Sequence, residues 1–179
     1  MSLRVLGIDP GLRVTGYGVV EQGRGSARLI EAGVVAPPSS GSLETRLRQL
    51  HAGIGDVLTA TNPQWIVIEE LYTTYKNPLT AIMMGHARGV LCLAGAQHGI
   101  PVRTLGHSLV KRALVGSGAA RKEQVNLMIT ELLGLRRAPE PNDVSDALAL
   151  ALAFINVRDH EQRFPAEMLN LPKRRRRTA

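Results

Sequence analysis

The chain has 179 residues, a net charge of +7 and one cysteine, Cys92, which suits one domain around one core and excludes an internal disulfide, favouring a reducing, cytoplasmic compartment. The N-terminal MSLRVLGID lacks the apolar core of a signal peptide, and no apolar run is long enough to span a bilayer without a charge or a break, so no membrane role is expected. Five of the 22 basic residues fall in Lys173–Arg177; the basicity is mostly a tail, which hints at a polyanionic partner.

Val5-Leu6-Gly7-Ile8-Asp9 is a short apolar strand ended by a carboxylate. Pro10-Gly11 is a turn signal, and Val14–Glu21 resumes a strand pattern of β-branched residues and glycine. An aspartate at the end of an apolar strand is costly without a partner. A hydrogen-bonded turn or a bound cation would each supply one, and this stretch alone does not choose between them. A turn over Gln22–Ser26 leads to a third strand, Ala27–Ala36, which completes an antiparallel meander. After the loop Pro37–Ser42, the residues Leu43, Leu47, Leu50, Ile54, Val57 and Leu58 recur at helical spacing, and that helix should end near Asn62-Pro63.

Trp65-Ile66-Val67-Ile68-Glu69 has the unbroken apolarity of a strand buried on both faces and again ends in a carboxylate, with Glu70 beside it. The loop Leu71–Pro78 carries Tyr72, Tyr75 and Lys76. Leu79–Gln97 is a helix apolar on nearly every side and rich in glycine and alanine. One small domain cannot easily cover such a helix alone, so a second copy is expected on part of it. A short strand, Pro101–Leu105, precedes a short helix, His107–Val115, broken by Gly116-Ser117-Gly118. Arg121–Leu133 is an amphipathic helix, Leu135–Asn142 a loop, and Asp143–Val157 the last long helix. The pattern predicts a domain over residues 1–158 and a basic, disordered C-terminal tail over 159–179. There are no internal repeats.

Three antiparallel strands followed by alternating helices and strands imply an α/β fold: a mixed five-stranded sheet with helices on both faces. This is the ribonuclease H-like arrangement. Its first and fourth strands lie side by side and parallel, which brings Asp9 and Glu69 together. Asp143 and Asp146 stand three apart on the last helix and share a face. Alone, they read equally as complements to a helix N-terminus capped by Asn142. With Asp9 and Glu69 they make four carboxylates at element ends. Four such charges repel and need neutralising. Oxygen-bound divalent cations do this, and Mg²⁺ suits the donor set. Two ions about 4 Å apart can activate a water and stabilise the leaving oxygen of a phosphodiester.

The segments GIDPGLRVTGYGVV, VIEELY, GHARGV, LVGSGAARKEQV and NDVSDALALA, in this order, resemble the RuvC family of Holliday-junction resolvases, from about Leu3 to Val157. The resemblance implies a homodimeric, Mg²⁺-dependent endonuclease with a ribonuclease H-like fold. It would hold two ions per active site, with Mn²⁺ as a substitute. Such an enzyme resolves four-way DNA junctions by paired symmetric nicks in recombination and repair, alongside the RuvA and RuvB branch-migration proteins. Its acidic quartet carries over onto Asp9, Glu69, Asp143 and Asp146, as catalytic and metal-binding residues. Glu69 is taken over Glu70 on the strand-end match.

Tyr72 matches a family aromatic implied to act on the junction, and an exposed ring there can stack on an unpaired base. Tyr75 and Lys76 share its loop and are assigned to the same DNA contact. Lys111 and Lys122 match family lysines near the scissile phosphate, where a cation binds phosphate or stabilises developing charge. Arg112 and Arg121 are flanking phosphate contacts. His86, His98 and His107 form no metal-ligand pattern and are read as structural. Three rivals remain: a sugar-kinase or actin-type ATPase, for which the chain is too short; a non-catalytic junction binder, which should have lost a carboxylate; and another nuclease of the same fold.

Overall fold

The computed structural model describes residues 2–23, 25–71 and 78–163. In chain order the elements are β1 (Leu3–Asp9), β2 (Thr15–Gln22), β3 (Ala27–Val35), α1 (Leu43–Thr61), β4 (Trp65–Glu69), α2 (Pro78–Gln97), β5 (Val102–Leu105), α3 (His107–Val115), α4 (Lys122–Leu132) and α5 (Asn142–Arg163). The order and type of these elements are those expected. One five-stranded sheet runs β3-β2-β1-β4-β5. β1–β2 and β2–β3 are antiparallel, while β1–β4 and β4–β5 are parallel.

Period-two alternation divides the strand side chains between two cores. Leu6, Ile8, Ile66 and Ile68 pack with Leu50, Ile54 and Leu91 of α1 and α2. Val5, Val20 and Val67 pack on the other face, against α3, α4 and α5. Asp9 is in phase with Val5, and Glu69 with Val67. The alternation therefore aims both carboxylates at the α5 face, at the C-terminal ends of adjacent parallel strands.

Every residue of α5 from Val144 to Ile155 is buried, except Asp146 at the site. Such a helix must lie close on the sheet, and glycines in β1 and β2 let it. A Cβ at Gly7 would stand 1.9 Å from the Ala147 carbonyl oxygen, and one at Gly16 would stand 2.1 Å from that of Asp143. The helix continues to Arg163, past the expected end at Val157. Its last turns are held by polar bonds, which a hydrophobic pattern does not reveal: Gln22 Nε2 donates to Asp159 Oδ2 at 2.6 Å, and Arg103 pairs with Glu161 at 3.4 Å. The basic run Lys173–Arg177 lies outside the described residues.

By length and composition alone, α2 is the one described helix apolar enough to cross a membrane. Ala87, Leu91, Ala94 and Gly95 are buried against the domain, and the Arg88 guanidinium donates to Thr104 Oγ1 at 2.6 Å. The other side is open: Ile82 and Leu93 are about half exposed, and a Cβ at Gly85 or Gly89 would meet nothing within 4 Å.

Candidate active site

Four chain segments supply the site. The β1–β4 register pairs Ile8 with Ile68, so Asp9 and Glu69 follow at the next step. Gly16 is the cross-strand partner of Asp9, and its missing side chain admits the backbone of Asp143. Asp146 lies one turn further along α5, on the same side. The α5 N-terminus thus arrives over the end of the sheet because Gly16 leaves it room.

The electrostatics show the crowding. Asp9 is pushed up from its ordinary value of 3.8 to about 7. Burial is the largest cause, followed by repulsion from Glu69, Asp146 and Asp143; Lys122 opposes the rise. All four predicted carboxylates therefore share one field. Two of them already have partners: Lys122 Nζ donates to Asp146 Oδ2 at 2.8 Å, and His107 Nδ1 bonds Glu69 Oε1. Among the described residues no three His, Cys, Asp or Glu side chains form a group that could hold a metal ion as they stand. The donor set nevertheless fits a hard divalent cation, since it is all carboxylate, is partly shielded from water, and carries mutual repulsion that adds to burial in pushing Asp9 up.

Glu69, His107, Lys111, Lys122 and Asp146 line one cleft floored by Val110, Val125 and Leu150. Lys111 and Lys122, expected at the phosphate, are thus brought to the carboxylates. Glu70 is exposed and turns away, lining a separate groove with Ser108 and Arg112. Arg121 caps α4, its backbone N–H donating to Gln124 Oε1 at 2.9 Å, with its residue exposed. Tyr72, Tyr75 and Lys76 lie outside the described residues.

His107, read from sequence as structural, stands on Glu69. His98, read likewise and one residue past α2, bonds the Ala94 carbonyl of that helix at 2.8 Å. A signal for His107 did exist: it lies two residues past the end of β5, the neighbour of β4. A second residue that sequence reasoning missed is Ser145. It is fully buried, lies between Asp143 and Asp146 in sequence, and donates to Asn126 Oδ1 of α4 at 2.6 Å. Asn126 lies one turn beyond Lys122, so this bond ties the helix bearing the lysine to the helix bearing its aspartate.

Residues 5–154 match the family model described as crossover junction endodeoxyribonuclease RuvC. A crossover junction endodeoxyribonuclease RuvC from Rhodopirellula baltica is 43% identical over 148 residues, 83% of each chain. A Thermus thermophilus RuvC structure superposes with a TM-score of 0.83 at 37% identity, covering 88% of this chain and 96% of that one. A T. thermophilus RuvC in complex with Holliday junction substrate gives 0.84 at 36% identity with the same coverage.

Proposed function

Because the chain belongs to the RuvC family of crossover junction endodeoxyribonucleases, we propose that the carboxylates at the end of its sheet cut four-way DNA junctions in recombination and repair. The protein is a nuclease, and its reaction is hydrolysis of a phosphodiester. Water adds to phosphorus, a P–O bond breaks, and the strand ends as one phosphate and one hydroxyl. The observation that carries the reading is the position of Asp9, which burial first and then repulsion from Glu69, Asp146 and Asp143 push up to about 7.

Asp9, Glu69, Asp143 and Asp146 would hold the divalent cation, two Mg²⁺ per site with Mn²⁺ as a substitute. When bound, such ions supply neutralisation of the carboxylates, an acidified water and charge stabilisation on the leaving oxygen. The chain's own groups orient the substrate. Lys111 and Lys122 face the carboxylates across the cleft and would bind the scissile phosphate from that side. Arg112 and Arg121 are exposed on the flanks and would hold neighbouring phosphates. Tyr72, Tyr75 and Lys76, which follow β4 in sequence, would contact the DNA, where a ring can stack on an unpaired base.

A four-way junction has near two-fold symmetry, and matched nicks on opposing strands need two sites in that relation. We assign the dimer contact to the open side of α2. Ile82, His86, Gly89 and Leu93 are among its exposed positions, and their spacing places them on one stripe. RuvA and RuvB would act with this dimer in the cytoplasm. The nuclease domain, expected over residues 1–158, would take in the rest of α5 to Arg163, and the basic run beyond it would add charge toward DNA. The test is cleavage of a mobile four-way junction against linear duplex and flap DNA, with Mg²⁺ present and absent. Paired nicks confined to the junction, and only with the ion, are the expected result. Equal cutting of linear duplex would overturn the reading.

A further inference from the structure

We propose that His107 is a positioning residue for this reaction, holding one oxygen of Glu69 so that the other is presented to the cation; the inference rests on reading Glu69 as a metal ligand. The backbone brings the two together. β4 and β5 are parallel, with Glu69 paired to Leu105, and the Glu70 N–H donates to the Leu105 carbonyl at 3.0 Å. One residue later the extended Gly106 turns the chain into α3, whose first residue is His107. Burial of Val110 and Leu114 fixes the rotation of that helix. His107 and Lys111, four apart, therefore share the face that lines the cleft.

Nδ1 of His107 bonds Oε1 of Glu69. An ionised carboxylate only accepts, so Nδ1 carries the proton. Among the described residues His107 makes the one side-chain hydrogen bond to the Glu69 carboxylate. One fixed oxygen leaves the other with a defined direction. Outer hydrogen bonds of this kind orient metal-ligating groups, and losing one typically weakens metal affinity about 10–100-fold. The imidazole is more than half exposed, so it contributes little to the core and its removal should not unfold the domain.

The experiment uses the full chain and Mn²⁺ as the probe, with the free ion followed by electron paramagnetic resonance in the absence of DNA. His107→Ala should bind Mn²⁺ about 10–100-fold more weakly than the unmodified protein, with the thermal midpoint unchanged. His107→Asn, whose amide nitrogen can donate from near the Nδ1 position, should recover affinity to within a few-fold. In a Glu69→Gln background, adding His107→Ala should cost nothing further. If Glu69→Gln weakens Mn²⁺ binding while His107→Ala does not, the positioning role is wrong and the carboxylate site stands. If His107→Asn binds no better than His107→Ala, the hydrogen bond is not what matters and the proposal falls. If Glu69→Gln itself binds Mn²⁺ normally, the underlying reading of Glu69 fails, and this inference with it.

Discussion

Gly16→Ala should disable the enzyme without touching an ionisable group. The added Cβ would lie 2.1 Å from the Asp143 carbonyl oxygen, 2.3 Å from its carbonyl carbon and 2.8 Å from its Cβ. Packed atoms do not tolerate such distances, so the first turn of α5 must lift by about 1 Å. That turn carries Asp143 and fixes where Asp146 stands. A displacement of about 1 Å at catalytic groups costs on the order of 100-fold in rate, while overpacking costs about 1–3 kcal/mol of stability. Gly18→Ala is the comparison. Its Cβ would meet Leu148 Cδ2 at 2.5 Å and Cγ at 2.7 Å, side-chain atoms rather than the backbone that Gly16 faces, deeper along the same helix. It should destabilise comparably and keep cleavage within a few-fold. The assay is single-turnover cleavage of a four-way junction, read beside urea denaturation of each variant. A folded Gly16→Ala variant cutting at the unmodified rate would refute the reasoning, as would equal loss in Gly18→Ala.

Metal-free stability should depend on pH through Asp9. The folded protein keeps the Asp9 proton up to about pH 7 and the unfolded chain loses it near 3.8, so this contribution is full below pH 3.8 and is lost as pH rises to about 7. The interval corresponds to roughly 4 kcal/mol, and partial exposure brings the expected loss to about 2. In urea denaturation with EDTA, Asp9→Asn should therefore gain on the unmodified protein as pH rises from about 4 to about 7, and parallel profiles would contradict the cause given. Ile82→Glu, on the open stripe of α2, should leave circular dichroism unchanged and shift sedimentation from dimer to monomer; a folded variant that stays dimeric would move the interface elsewhere. Ala87 and Leu91 are buried in their own domain, so charges there should unfold the protein instead. Tyr72→Ala should lower junction turnover about 5- to 150-fold, matching loss of a base stack worth about 1–3 kcal/mol, with little change in stability.

The sheet was legible because its signals are local. Val5–Asp9 and Trp65–Glu69 are unbroken apolar runs that end in carboxylates, and strand alternation sends both acids to one face. Asp143 and Asp146 needed only helical spacing. The end of α5 was not legible, because Asp159 and Glu161 are held by single polar contacts from β2 and β5 rather than by a buried stripe. The open side of α2 was hidden as well: its composition is apolar all round, and only docking against the sheet separates Ala87 and Leu91 from Ile82 and Leu93. His107 escaped notice because a lone histidine at a helix start carries no ligand spacing. Its significance comes from the β4–β5 register, a non-local fact. Gly16 was visible only as a glycine in a strand; that it makes room for Asp143 depends on a contact across well over a hundred residues of chain.

The central claim is that Asp9, Glu69, Asp143 and Asp146 act as one metal-holding site for junction cleavage. The most direct measurement is single-turnover cleavage of a mobile four-way junction in Mg²⁺ by Asp9→Asn, Glu69→Gln, Asp143→Asn and Asp146→Asn, with junction affinity recorded for each. Removing a negative charge beside DNA does not weaken phosphate attraction. Cleavage should be lost in all four variants while affinity is kept or rises. A variant that cuts at the unmodified rate would remove its carboxylate from the site, and two such variants would contradict the account.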